Sequence, residues 1–284
     1  MNLTVQNINY KIKNQEILKE VSFSLNDGDI LAVLGSNGAG KTSLFEIITG
    51  IIMPTSGTII FDKKSSFTDV KKNVGVLWDE ITLFPLLKVD EVLKYIASIY
   101  GMNECPDFML EYIGITPHLN SYMNELSKGE RRKVEILLSV MHNPNLLILD
   151  EPTSSLDPLI RDLIWTNILK SDNRTIMFST HQWEEAAKFA NKIVFINKGK
   201  ILNKPASAEE IIKGYNISKK IIASNNVHIT SDSICSYPIK DNIVYLIKNG
   251  QNDVLMKIRE QTMRYSIMDI GLEDIYHLLI SLEK

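Results

Sequence analysis

The sequence predicts an α/β fold with a largely parallel sheet, and three observations carry that reading. The apolar runs Ile30–Leu34, Leu146–Leu149 and Ile193–Ile196 have the length and continuous hydrophobicity of strands buried on both faces, and Thr175–Ser179 reads as a further strand. Helical segments at Lys41–Thr49, Leu159–Leu169 and Gln182–Phe189 fall between them, and such alternation builds parallel sheets. The chain has 284 residues, 44% of them hydrophobic and 23% charged, the balance of a globular protein with a sizeable core.

From the N-terminus, Leu3–Tyr10 and Ile17–Leu25 read as strands, with Asn14-Gln15 near the turn between them. Asp27-Gly28-Asp29 turns the chain into Ile30–Leu34. A glycine-rich loop follows, then a helix from about Lys41 to Thr49, closed by Gly50. Pro54-Thr55-Ser56-Gly57 breaks the chain before the strand Thr58–Phe61. From about Val89 to Met141 the period is helical. Val92, Leu93, Tyr95 and Ile96 share one face, and Val134, Ile136, Leu137 and Val140 another. This block is a helical insertion.

After Pro205 the character changes. Lys219–Ala223, Asn242–Ile247 and Met263–Ile267 look like strands, and Asp253–Glu260 like a helix. Gly271-Leu272-Glu273-Asp274 opens a last helix with Ile275, Leu278 and Leu279 on one face. The expected organisation is one large domain over 1–212 and a small α+β appendage over 213–284.

The net charge is −3, from 31 Lys+Arg against 34 Asp+Glu. That balance excludes a disordered chain and one whose whole surface is built for nucleic acid. Cys105 and Cys235 lack metal-ligand spacing and read as reduced thiols. No run approaches the ~18 apolar residues that span a bilayer: Leu44–Met53 is broken by Glu46, and Ile136–Leu149 by His142, Asn143, Pro144 and Asn145. Met1 to Glu16 has no signal-peptide core. The expectation is a soluble, intracellular chain whose membrane role, if any, comes through a partner.

Gly35-Ser36-Asn37-Gly38-Ala39-Gly40-Lys41-Thr42, followed by Ser43, lies between a buried strand and a helix and matches the phosphate-loop pattern in full. Phosphate oxygens need several inward-pointing backbone N–H groups, and the positive end of a helix dipole stabilises their charge. Lys41 is placed to reach the β- and γ-phosphates, and the Thr42 hydroxyl to ligate Mg²⁺. Motif, strand and helix agree on a nucleoside triphosphate.

Leu146–Leu149 ends in Asp150-Glu151. Successive strand residues face opposite sides, so the two carboxylates have different tasks. Asp150 suits Mg²⁺, directly or through water, and Glu151 suits the polarising of an attacking water. His181 follows Thr175–Thr180 on the same sheet edge; it is either structural or a γ-phosphate contact. Leu126-Ser127-Lys128-Gly129-Glu130 precedes a helix carrying Arg131, Arg132 and Lys133. Ser127 and Gly129 form either a second anion site or a plain N-cap before a solvated basic face.

In this order the pieces resemble the ATP-binding subunit of an ABC transporter, most of all bacterial exporter ATPases for drugs, peptides or antibiotic immunity. The resemblance covers about Leu3 to Ile212. Gly35–Thr42 is similar to the Walker A loop, Leu146–Glu151 to the Walker B strand and Leu126–Glu130 to the signature loop. Ser154-Ser155-Leu156-Asp157 resembles the loop that speaks across the dimer, and His181 the switch histidine. Tyr10 is similar to the aromatic that stacks on adenine, and is otherwise a core tyrosine.

The resemblance implies a P-loop NTPase core with an antiparallel β subdomain and the helical insertion, using ATP and Mg²⁺. It implies a head-to-tail pair of ATPase subunits, homodimeric or heterodimeric. ATP would lie between the Gly35–Thr42 loop of one and the Ser127–Gly129 loop of the other. A separate transmembrane permease subunit, peripheral attachment to the inner face of the cell membrane and no nucleic-acid partner also follow.

Three positions depart from the family pattern. Asp79, after Val74-Gly75-Val76-Leu77-Trp78, stands where a glutamine is usual and is expected as a further Mg²⁺ ligand that lacks the amide donor. Lys128 replaces a glycine and Glu130 a glutamine; Lys128 either adds charge near the γ-phosphate or points to solvent. Leu83-Phe84-Pro85-Leu86-Leu87-Lys88-Val89-Asp90-Glu91-Val92-Leu93, Tyr100-Gly101-Met102 and Gly271–Tyr276 look like the exporter group. Importer ATPases share the core motifs, and the appendage would then be a regulatory domain. A soluble ABC-type ATPase acting on ribosomes or nucleic acid is the other alternative. Such chains usually carry two cores or a long coiled coil, whereas this one has a single P-loop and no sustained heptads.

Overall fold

The computed structural model describes residues 1–64, 66–79, 84–170, 173–225, 227, 235–248, 253–262 and 264–283. Two compact units make up the chain, Met1–Pro205 and Ala206–Lys284.

The first unit opens with β1 (Leu3–Ile12) and β2 (Gln15–Leu25); β1 pairs with both β2 and β4 (Ser56–Phe61) in an antiparallel sheet ordered β2-β1-β4. The hairpin strands extend past the expected ends and close on Lys13-Asn14. A register shift between Val5 and Ile8 keeps both residues buried.

The second sheet contains β3 (Ile30–Leu34), β5 (Val74–Leu77), β6 (Leu146–Leu149), β7 (Thr175–Thr180), β8 (Lys192–Asn197) and β9 (Lys200–Ile201). Its order is β5-β6-β7-β3-β8-β9, parallel except for β9, which runs antiparallel to β8. Every residue of β3, β6 and β7 is buried, as the unbroken hydrophobic pattern of β3 and β6 predicts; β7 buries the hydroxyl residues Thr175, Ser179 and Thr180 as well. Sequence pattern does not reveal β5, which has four residues, one of them glycine. Helix α1 (Lys41–Ile48) follows β3, and its Leu44 and Phe45 join Leu3, Leu18 and Val33 in one core shared with both sheets.

The helical insertion holds α2 (Val89–Ile99), α3 (Asp107–Ile113) and α4 (Lys128–Val140). Ser127 caps α4: its hydroxyl accepts from Glu130 N, and the Glu130 carboxylate accepts from Ser127 N at 2.8 Å. Helix α4 lies close on β5. A Cβ built on Gly75 would sit 1.9 Å from the Ser139 carbonyl oxygen.

Asp157 caps α5 (Pro158–Ile164), accepting from Leu159 N and Ile160 N. The chain then widens into a π turn, Trp165–Leu169, where the sequence pattern predicts one continuous α-helix. The turn carries the fully buried Trp165, which stacks on Phe189 with centroids 4.9 Å apart and meets Phe178 edge-on at 4.7 Å. Phe189 ends α6 (Trp183–Phe189).

The second unit consists of α7 (Ala208–Lys213), β10 (Ile217–Ser224), β11 (Ser236–Ile239), β12 (Asn242–Lys248), α8 (Asp253–Gln261), β13 (Tyr265–Met268) and α9 (Leu272–Leu282). Its antiparallel sheet runs β11-β12-β10-β13 over a core of Ile221, Tyr245 and Ile258. The buried Asp274 carboxylate accepts from Lys220 at 2.9 Å and Tyr237 at 2.5 Å, so its charge is paired. Neither α7 nor β11 is anticipated by the sequence pattern. Met263 and Leu83, which open two of the segments singled out in the sequence, lie outside the described residues.

Cys105 and Cys235 are free thiols, and burial pushes the Cys105 pKa up to about 12. Among the described residues, no helix is long and apolar enough to cross a membrane.

The Gly75 contact is backbone against backbone, so no side-chain rotation relieves it. Gly75→Ala is expected to cost about 1–3 kcal/mol, read as a lower urea midpoint with an unchanged slope. An unchanged midpoint would mean that α4 yields freely.

Candidate nucleotide site

Parallel register brings the candidate residues to one edge. Leu34 pairs with Thr180, Leu149 with Phe178 and Leu77 with Leu149. The residues that follow these strands therefore emerge together at their carboxyl ends, where open α/β sheets bind ligands. A cavity of about 810 Å³ opens there, lined by Asn37 to Ser43, Ile17, Asp79, Asp150, Glu151, Ser154 and His181.

The loop is shaped around Gly40, which precedes α1 with φ +107°, a value side chains rarely tolerate. No side chain caps α1, so its first-turn N–H groups are available to an anion. Lys41 is buried, and its ammonium donates to the carbonyls of Gly35 at 2.8 Å and Ser36 at 3.3 Å. Burial lowers its pKa, while the Glu151, Asp150 and Asp79 carboxylates oppose that shift.

Asp150 is the hub of the strand tips. Its carboxylate accepts from the Thr42 hydroxyl at 2.8 Å and from the Ser179 hydroxyl. The Ser179 hydroxyl in turn accepts from Glu151 N at 2.9 Å. Thr42 and Asp150 thus present adjacent hard oxygen donors, the set that suits Mg²⁺. Asp79 lies on the same cavity and accepts from the Ser154 hydroxyl at 3.4 Å.

Glu151 has a left-handed backbone, φ +47°, a strained state for a non-glycine residue. Its carboxylate lies 2.8 Å from His181 Nδ1. Burial raises the Glu151 pKa, opposed by the His181 interaction and by Lys41.

Two further groups brace the site. The Arg132 guanidinium, 3% exposed, donates to the carbonyls of Asp150 at 2.7 Å, Glu151 at 2.7 Å, Pro152 at 2.8 Å and Trp78 at 2.6 Å. The buried Glu185 carboxylate accepts from Thr153, from Thr180 at 2.6 Å and from Trp165 Nε1 at 2.8 Å.

The solvated basic face is corrected by this geometry. Arg132 is buried, and Arg131 donates to the carbonyls of Met123 and Leu126, each at 3.2 Å. The signal was present in the sequence: Arg132 shares a helix face with Ile136 and Val140 at intervals of four. Lys128 is exposed. Ser127 and Gly129 are not among the residues lining their own chain's cavity, nor is Tyr10, which is half-buried on β1 against the core.

Comparison with known proteins agrees with this geometry. An ABC transporter family model matches residues 18–154. An ABC transporter ATP-binding protein of Methanocaldococcus jannaschii is 30% identical, over 96% of this chain and 98% of that one. A lantibiotic transport ATP-binding protein of Streptococcus pyogenes is 33% identical, over 70% of this chain and 89% of that one. A solved ATP-binding subunit of an ABC transporter superposes with a TM-score of 0.69 at 26% identity, covering 76% of this chain and 93% of that one. With its P-loop NTPase fold, the chain belongs to the ABC transporter family, as an ATP-binding and ATP-hydrolysing subunit.

Proposed function

We propose that the chain hydrolyses Mg²⁺-bound ATP between two ATPase subunits, driving export of a drug, peptide or similar molecule through a separate permease. The observation that carries the chemistry is the 2.8 Å Glu151–His181 contact on the cavity shared with the phosphate loop and Asp150. Backbone N–H groups at the start of α1 and the Lys41 ammonium bind the β- and γ-phosphates. Thr42 and Asp150, with Asp79 beside them, would hold Mg²⁺, which would supply positive charge against the phosphates. Glu151 accepts a proton from the attacking water. His181 holds the Glu151 carboxylate through Nδ1 and reaches the γ-phosphate with Nε2.

The catalytic work belongs to the domain drawn from the sequence as 1–212, with the appendage outside the chemistry. Tyr10, one strand from Ile17 at the cavity edge, supplies the adenine platform. Ser127 and Gly129, outside their own chain's cavity, meet the γ-phosphate held by the other subunit. Closing on ATP does work because the closed state binds ATP more tightly than the open one.

Attachment to the inner membrane face comes through the permease. An apolar groove of about 710 Å³ beside the site supports that contact, because its lining includes Leu77 and Trp78, just before Asp79. A lantibiotic-like cargo is supported by the Streptococcus relative named for lantibiotic transport.

Glu151→Gln is expected to retain ATP binding while turnover falls by roughly 10²- to 10⁴-fold, the range for a lost general base. Nearly unchanged turnover would place activation of the water elsewhere. Tagged protein recovered from detergent-solubilised membranes is expected to bring down a polytopic membrane protein that raises ATP turnover. Recovery of ribosomes or nucleic acid without such a partner would contradict the transport reading.

A further inference from the structure

We propose that Arg132 is a positioning residue for hydrolysis, holding Glu151 in the left-handed conformation that aims its carboxylate at the attacking water. This rests on the assignment of Glu151 as the base. In an extended strand successive carbonyls point to opposite sides. One guanidinium nevertheless collects three consecutive carbonyls, those of Asp150, Glu151 and Pro152. That is possible only where the chain bends, and the bend falls at Glu151, with φ +47°.

The planar fork of arginine matches such a set, whereas the lysine ammonium is a point donor with three protons. Arg132 is buried, and the carboxylate beside it, Glu135 at 3.3 Å, is buried too. The pair therefore sits where its bonds are not exchanged freely with water.

The fourth carbonyl belongs to Trp78. Trp78 and Glu135 also line the 710 Å³ groove, so one side chain joins the groove wall to the catalytic tip. Arg132 also lies just over one helical turn beyond the Ser127 cap on the same helix.

The test measures kcat and KM for Arg132→Lys and Arg132→Gln, each alone and combined with Glu151→Gln, by single-turnover assay with radiolabelled ATP. Circular dichroism establishes that each variant is folded, and Arg132→Gln, which keeps an amide donor but removes the cation beside Glu135, is read if the lysine variant fails to fold. Alone, the substitutions are expected to lower kcat by about 10- to 10²-fold with KM within about twofold, the pattern of a misplaced catalytic group. Added to Glu151→Gln they are expected to cost nothing more, because the side chain they aim is gone. Equal losses in both backgrounds, losses confined to KM, or unchanged kcat would overturn the proposal alone. Near-normal turnover of Glu151→Gln by itself would overturn the base assignment, and the proposal with it.

Discussion

The approach of α4 to β5 at Gly75 is the constraint on which the site depends. Any side chain there would drive into the Ser139 carbonyl. With none, the helix settles onto the strand, and its buried face is set against the sheet. Arg132 lies seven residues before Ser139, about two turns earlier on the same face. It is thereby delivered to the tips of β5 and β6, where it finds the Trp78, Asp150, Glu151 and Pro152 carbonyls. Packing of a helix on a strand thus becomes alignment of a carboxylate.

The same economy governs the other strand tips. Burying polar groups is costly unless each finds a partner. Here Thr42 and Ser179 both serve Asp150, and Ser179 also accepts from Glu151 N. Glu185 gathers Thr153, Thr180 and Trp165. The result ties α1, the π turn after α5, α6, β6 and β7 into one edge whose buried carboxylates are hydrogen-bonded. Such an edge is preorganised for a polyanion and a divalent cation.

Much of this edge was legible in the sequence, for physical reasons. Fully buried parallel strands leave unbroken apolar runs, and β3 and β6 are read directly. The phosphate loop is local, so its residues adjoin in the chain as in space, and Asp150-Glu151 closes its strand visibly. What was hidden is what depends on distant pairing. β5 is too short to show a period. Ser179 passes for a small core residue until Asp150 is placed beside it. Arg132 hides in a basic run whose solvent exposure is the ordinary expectation, and Trp165 in a helix whose widened turn no period reveals. Tyr10 was singled out as a stacking residue, yet its half-buried place on β1 is equally that of a core side chain.

The central claim is that the carboxyl edge of the parallel sheet holds nucleotide and metal together, through residues from different strands. A crystal structure of the chain with a non-hydrolysable ATP analogue and Mg²⁺ tests it most directly. The account predicts the β- and γ-phosphates within the Gly35–Thr42 loop, Lys41 turned from its carbonyl partners onto them, and Mg²⁺ bound by the Thr42 hydroxyl with Asp150 at its side. Nucleotide seated away from that loop, or Mg²⁺ bound without Thr42 and Asp150, would contradict it.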